Sequence, residues 1–345
     1  MGSEWTTLIR YVGRRVAAGL LVVVGVAVLT FIISRVIPSD PAATWVGGHV
    51  PAEVLEQVRQ DLGFNRPLRE QLWDYLRGLA IGDWGVSTRT RRPVLADIAV
   101  GLPASIELVG AALMLGLMAG IPLGLISARW KGRLADVLVR LLSVVGVSMP
   151  VFWLAPMLQL IFFEKLALLP VAGRYDPALY YTSPLISYTH ISVIDALVGL
   201  NGPVLRSALA HLVMPAFVLA VYPMGVVARM VRASVLETLG DTHIQMVRSL
   251  GFSEAAVFGR FALKPSLNPV ITVIALIFAY SLANTFLVEA IFNWPGLGLY
   301  AALAVQSVDT PAIVGITLVV ALAYVFGNLA VDLLQTVIDP RIRLR

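Results

Sequence analysis

Six polar side chains lie in or beside long apolar stretches: Glu107, Gln159, Asn284, Glu289, Asn328 and Asp332. A polar group in hydrocarbon is costly, so each must be satisfied by neighbours or serve a pathway. Glu107, Glu289 and Asp332 fall near the ends of their stretches, where capping a helix or meeting headgroup water is an equally good use. Asn284 lies deeper. The run Ser148-Met149-Pro150-Val151-Phe152-Trp153 puts a proline inside another apolar stretch. Proline frees a backbone carbonyl, which can face a cavity or be met by a neighbouring helix. Ser148, Met149, Pro150, Trp153, Asn284 and Glu289 are therefore candidates to line a path, with helix packing as the plain alternative. Solution chemistry is poorly supplied. There is no cysteine, which removes disulfides, thiolate metal sites and cysteine catalysis. His49, His190, His211 and His243 are too scattered to suggest a metal site. No Gly-x-x-x-x-Gly-Lys-Ser/Thr loop and no His-Glu-x-x-His occur. No nucleophile–base pair suggests itself, so an enzyme is not expected.

The elements that position these residues must cross a membrane. The 345 residues are 58% hydrophobic and 14% charged, with a mean hydropathy of +0.83; soluble domains carry about 25% charged residues. Six runs lack charge over 16–33, 108–128, 141–163, 207–228, 265–288 and 310–331, each near the ~20 residues that span a bilayer. Arg10, Arg14 and Arg15 precede the first, as in a secretory signal. That run is too long and no small-residue cleavage site follows, so a retained helix is expected. The reading is all-α and polytopic. A tail and first span occupy 1–37, an extracytoplasmic helical insert 38–101, and a five-span core 102–345. The core spans are expected near 102–128, 137–163, 207–230, 266–290 and 310–335, with an outer loop over 164–206 and a cytoplasmic loop over 231–265.

Orientation follows from basic residues in short flanks. Arg129, Lys131 and Arg133 mark one inside loop; Arg229, Arg232, Arg248, Arg260 and Lys264 mark the next; Arg341, Arg343 and Arg345 mark the tail. The outer stretch 292–309 has no Lys or Arg. Both termini are thus expected inside. The net charge of +5 is no nucleic-acid footprint, because the basic residues cluster at segment ends.

In the insert, Val54, Leu55, Val58 and Leu62 recur at helical spacing up to Gly63. Leu68, Leu72, Tyr75, Leu76 and Leu79 do so between Pro67 and Gly82. Such a subdomain docks a partner, gates an outer mouth, or simply covers helix ends. The loop over 164–206 is apolar enough to pass for a seventh span, but Pro177, Pro184, His190, Asp195 and Asn201 predict short helices at the outer surface. Gly116, Gly120 and Gly124 lie four apart, a spacing that lets two helix backbones approach, within the chain or between subunits.

The stretch over 234–268 is organised differently. Gly240 is expected to end one helix in the left-handed conformation. Asp241 or Thr242 then caps a short helix in which Ile244, Val247 and Leu250 share one apolar face. Gly251 stops it, Ser253 caps the next helix, and Pro265 ends that one. A two-turn helix does not hold its shape alone in water. Its apolar face needs a partner chain or the protein's own core.

Here the sequence resembles a known family. Arg248-Ser249-Leu250-Gly251-Phe252-Ser253, followed by Phe261-Ala262-Leu263-Lys264, is similar to the cytoplasmic signature of the permeases of binding-protein-dependent ABC importers, in the dipeptide/oligopeptide branch. Gly82-Asp83-Trp84-Gly85, 37–41, Leu169-Pro170-Val171-x-Gly173-Arg174, His211-x-x-Met214-Pro215, the run from Glu289 to Gly298, 328–333 and 338–341 resemble the same branch, so the likeness covers nearly the whole chain. Where the family's general Glu-Ala-Ala falls, this chain has Gln245-Met246-Val247. The resemblance implies a type I importer permease with six transmembrane helices in a prokaryotic inner membrane. A second, homologous permease would complete the pore, two ATP-binding subunits would hold ATP and Mg, and an extracytoplasmic binding protein would deliver di- or oligopeptides. No cofactor is expected on this chain. Glu237, Asp241, Ile244, Val247, Arg248, Leu250, Gly251, Phe252 and Ser253 would couple it to the ATPase. The same architecture could import an oligosaccharide, glutathione or a metal chelate. A self-sufficient secondary transporter or channel would instead show inverted repeats and charges at mid-membrane, and neither is visible in the sequence.

Overall fold

A computed structural model describes residues 2–36, 51–61 and 65–338. These residues are helical throughout, apart from loops and one isolated bridge between Val86 and Pro93. Helix α1 spans Gly2–Val36, α2 Ala52–Asp61, α3 Leu68–Ile81, α4 Val94–Arg129, α5 Leu134–Ser148 and α6 Val151–Leu158, which runs on as a π-helical turn to Lys165. Then come α7 Ser192–Val198, α8 Gly202–Thr238, α9 Thr242–Ser249, α10 Leu263–Ile291, α11 Leu297–Gln306 and α12 Thr310–Ile338. The expected Gly63 stop and the motif over 37–41 lie outside the described residues, as does the tail from 339.

Among the described residues, four helices are long and apolar enough to cross a membrane, and six spans result if each of two bent pairs counts as one. All six charge-free runs fall on these elements. The third differs in kind from a straight span. Met149 takes an extended conformation before Pro150, and the chain turns by 103° between α5 and α6, as the steric restriction on a residue before proline favours. α4 begins at Val94, so it runs straight across the expected insert–core boundary near 101.

The centre of the bundle is α4 against α8. A β-carbon at Gly120 would lie 2.9 Å from the Met224 carbonyl oxygen, and one at Gly124 only 2.6 Å from that of Ala228. The three-glycine stripe is therefore an intrachain seam, where side-chain-free backbone lets α8 approach. In the insert, α3 rests on α1 through Phe31 and Tyr75, ring centroids 5.5 Å apart, and closes with Gly82 at φ 88°. The loop that follows is tied to the start of α12 by Asp309. Its fully buried carboxylate accepts from the Ser87 hydroxyl, from the Thr88 N–H at 3.1 Å and from the Arg89 N–H at 3.3 Å.

Candidate functional site

The loop expected to face the ATPase starts where α8 ends. Gly240 is not left-handed. Its N–H closes a tight turn on the Glu237 carbonyl at 2.9 Å, and the left-handed glycine of this loop is Gly251, at φ 81°. Asp241 occupies the cap position of α9, but its side chain makes no capping bond; it lies 3.6 Å from His243 instead. Ser253 does cap, accepting from the Ala256 N–H at 3.3 Å. Pro265 does not end a helix. The chain winds as a π-helical turn over Val257–Ala262, and α10 begins at Leu263 with Pro265 in its first turn. A widened ladder at that point accommodates the missing proline donor.

The expected single apolar face of α9 is split in two. Ile244 is fully buried in the same core as Val257 and Ala262, and half-buried Val247 packs against it. Leu250 is 65% exposed and stands with Met246, 64% exposed, and Phe252, 44% exposed. Ile244 and Val247 thus hold α9 on its own chain, whereas Met246, Leu250 and Phe252 face out. The frame is stiffened on three sides. The hydroxyls of Thr238 and Ser266 meet at 3.2 Å and join the end of α8 to the start of α10. Phe252 meets Phe261 edge-on at 5.1 Å. Arg248 donates to both oxygens of Glu254, at 3.0 and 3.3 Å, across the Gly251 turn. Glu237 is exposed on the last turn of α8.

The break between α5 and α6 opens a cavity of about 230 Å³. Met149 and Asn284 are both in its wall, brought together from α10 and the α5–α6 corner. Asn284 donates to the Tyr280 carbonyl at 2.8 Å. Ser148, Pro150 and Trp153 are exposed and are not in that wall. Glu289 is also elsewhere. Its fully buried carboxylate accepts from the Ser105 hydroxyl at 2.6 Å, the Gly298 N–H at 2.7 Å and the Leu299 N–H at 3.0 Å. This carboxylate caps α11 and fastens it to α4, satisfying donors that a helix start leaves open. Gly296 is required beside it, because a β-carbon there would sit 2.4 Å from the Glu289 oxygen. The Trp294 indole N–H completes the corner by donating to the Ala104 carbonyl at 2.9 Å. Gln159 donates to the Val171 carbonyl at 3.0 Å. Asn328 lies within α12, and nothing is described of the Asp332 side chain.

Two ionic clasps escaped sequence reasoning. At the end of the bundle that carries α9, buried Asp136 accepts from the Ser127 hydroxyl at 2.6 Å, the Gly132 N–H at 2.9 Å and the Arg232 guanidinium at 2.8 and 3.0 Å. At the opposite end, the Arg174 guanidinium pairs with Glu107, donates to the His190 carbonyl at 2.9 Å and lies over the Trp294 ring. Glu107 also accepts from the Val193 N–H at 2.8 Å, so the loop over 164–206 is seated on α4. Beside it, burial opposes ionisation of Asp195. Hydrogen bonds from Thr189 and Ser187 prevail, and its carboxyl is held below the usual carboxylate range.

Membrane-length helices packed on a glycine seam, with a broken span and a short helix that leaves an apolar edge uncovered, make a polytopic helical bundle. The chain belongs to the family described as the binding-protein-dependent transport system inner membrane component, which it matches over residues 120–344. Residues 8–108 match the N-terminal component of the same systems. Members are the membrane permeases of ABC importers, which work with a substrate-binding protein and ATPase subunits. The chain is 42% identical over 323 residues to the probable D,D-dipeptide transport system permease protein of Escherichia coli K12, covering 94% of each. It is 37% identical to the dipeptide transport system permease protein of Alkalihalophilus pseudofirmus, over 97% of this chain and 100% of the other. It is 30% identical to the glutathione transport system permease protein of Escherichia coli O1:K1, over 98% and 100%.

Proposed function

We propose that this permease carries di- or oligopeptides inward as half of a two-permease pore, driven by ATP hydrolysis in two partner subunits. The observation that carries the reading is α9. It is seated on the protein's own core by Ile244 and Val247, yet leaves Met246, Leu250 and Phe252 uncovered. An ATPase cleft would cover that edge, and the buried side would pass its movement to α8 and α10. Closure of the nucleotide-binding pair would then turn the spans outward, toward a binding protein that delivers the peptide. ATP and Mg would sit in the partners, because the chain has no phosphate loop. Both termini would lie inside. The peptide class rests on the names of the dipeptide permeases it resembles, and glutathione, itself a small peptide, is the second reading that the similarities favour.

The test is reconstitution. The chain alone in vesicles is expected to hydrolyse no ATP and move no radiolabelled dipeptide. Adding the homologous permease, the ATPase subunits, the binding protein and ATP is expected to restore uptake. Uptake by the isolated chain under an ion gradient would refute the proposal.

A further inference from the structure

In the insert, α3 has a packed side and an open one. Tyr75, Leu76 and Leu79 pack against Ala27 of α1 and against Val314 and Leu318 of α12. Those contacts fall within about two and a half turns, roughly 13 Å, of Arg35 and Asp309, the charges that end the apolar runs of α1 and α12. α3 is therefore held near the level where these two spans leave the hydrocarbon. Leu29, Ile32 and Ile33 of α1 stay exposed beside it, so lipid reaches this corner of the bundle. Away from the packed side, Arg69, Trp73 and Arg77 recur every four residues and so lie within about 80° of one another around the helix. All three are exposed, Trp73 by 68%. Acidic neighbours do not neutralise the stripe. Glu70 and Asp74 are both taken by Arg66, at 3.2 and 2.6 Å. Arg69 and Arg77 have no ionic or hydrogen-bonding partner among the described residues.

We infer that this stripe binds the headgroup of an anionic phospholipid, with Trp73 at the boundary between headgroups and acyl chains and Arg69 and Arg77 on the headgroup oxygens. Tryptophan suits that depth because its ring is apolar while its indole N–H needs a polar partner. The long stem of arginine lets a guanidinium at the edge of the hydrocarbon reach outward, and its planar fork meets a phosphate with two donors. Basic residues and tryptophan on one helix are the composition of a helix lying in the membrane surface. An acidic protein would also answer the two charges, but it would have to cover Trp73 at the level where the contacts to α1 and α12 place lipid. The inference needs only that the chain sits in a membrane, not the identity of its solute.

The experiment places the full-length chain in phosphatidylcholine vesicles that carry a minor fraction of a brominated lipid, since bromine quenches tryptophan fluorescence on contact. The Trp73 signal is taken as the difference between wild type and Trp73→Phe, which removes the other tryptophans. At roughly fivefold per arginine, the equivalent of the ~1 kcal/mol usual for one basic residue at an anionic surface, brominated phosphatidylglycerol is expected to associate with Trp73 about tenfold or more tightly than brominated phosphatidylcholine. Arg69→Gln with Arg77→Gln is expected to bring that ratio near one, while the melting temperature in pure phosphatidylcholine stays at the wild-type value. Arg69→Lys with Arg77→Lys is expected to keep most of the preference. As an independent measurement, phosphatidylglycerol added to the detergent-solubilised chain is expected to raise the melting temperature of the wild type but not of the glutamine pair. Equal quenching by the two lipids, or a preference that survives the glutamine pair, would overturn the inference. Absence of quenching by either lipid would put Trp73 away from the bilayer and overturn it as well. If the glutamine pair instead weakened binding-protein association with the assembled complex in pure phosphatidylcholine, the stripe would be a protein-docking surface and not a lipid site.

Discussion

At the scale of single residues, α9 shows how a spacing argument fails by angle. Spacing at i, i+3 and i+6 suggests one face. At about 100° per residue, Leu250 lies roughly 120° from Ile244 around the helix but only about 40° from Met246. The chain therefore buries Ile244 and leaves Leu250 with Met246 outside. The two edges predict opposite phenotypes. Ile244→Ala should cost about 2–5 kcal/mol, the usual toll of emptying a core site, seen as a lower melting temperature of the purified chain. Leu250→Ala and Met246→Ala should leave that melting temperature unchanged while reducing co-purification of the ATPase subunits. A destabilised Leu250→Ala, or unchanged ATPase retention in both outer variants, would reverse the assignment. Gly251→Val belongs with the outer edge in its effect. At φ 81° a side chain costs roughly 1–2 kcal/mol, and a β-branched one tilts the turn that Arg248 and Glu254 bridge. Uptake per ATP hydrolysed should fall while insertion persists; wild-type coupling and ATPase retention would remove this turn from the transmission.

At the scale of elements, what was legible was hydrophobic length, and what was hidden was pairing. All six charge-free runs could be read directly, because a bilayer demands such runs of any span, and the two helices of the insert followed from their apolar spacing. The fate of each proline could not. Pro103, Pro122, Pro215 and Pro223 lie within continuous helices, while Pro150 breaks one by 103°. A proline is compatible with either outcome, and local sequence does not record which one occurs. Partners far apart in sequence were equally invisible. From sequence Glu289 is a path candidate; in the fold its carboxylate is taken up by Ser105 and the start of α11. Asp136 stands out by no motif or spacing, yet it joins the α4–α5 corner to α8 through Arg232, 96 residues away. Removing one member of such a buried pair typically costs about 3–5 kcal/mol, because the other charge is left stranded. Asp136→Ala and Arg232→Ala should each lower the melting temperature markedly. Their combination should cost clearly less than the sum, since neither charge is then stranded. Additive losses in the double variant would mean that the pair is not a coupled unit.

At the scale of the whole molecule, the remaining question is which way the bundle stands. Basic residues in short flanks set orientation almost regardless of acidic neighbours, so the pairing of Arg232 with Asp136 and of Arg248 with Glu254 does not weaken the signal. Arg129, Lys131, Arg133, Arg229, Arg232, Arg248, Arg260 and Lys264 gather at one end of α4, α5, α8 and α10. The opposite end carries α7, α11 and the outer loop. Basic residues in the insert, such as Arg59, Arg66 and Arg69, sit in a segment long enough to be translocated despite charge. With no native cysteine, single thiols report sidedness without background. Exposure decides where to put them. Tyr181 and Leu200 are 91% and 92% exposed on the outer loop, whereas Trp294, at the same end, is 1% exposed and would stay silent in either orientation. Tyr181→Cys and Leu200→Cys should react with an impermeant maleimide on intact cells. Lys131→Cys, exposed in the turn between α4 and α5, should react only after permeabilisation. Labelling of position 131 from outside would invert the bundle. α9 would then face away from any cytoplasmic ATPase, and the coupling role assigned to Met246, Leu250 and Gly251 would fall with it.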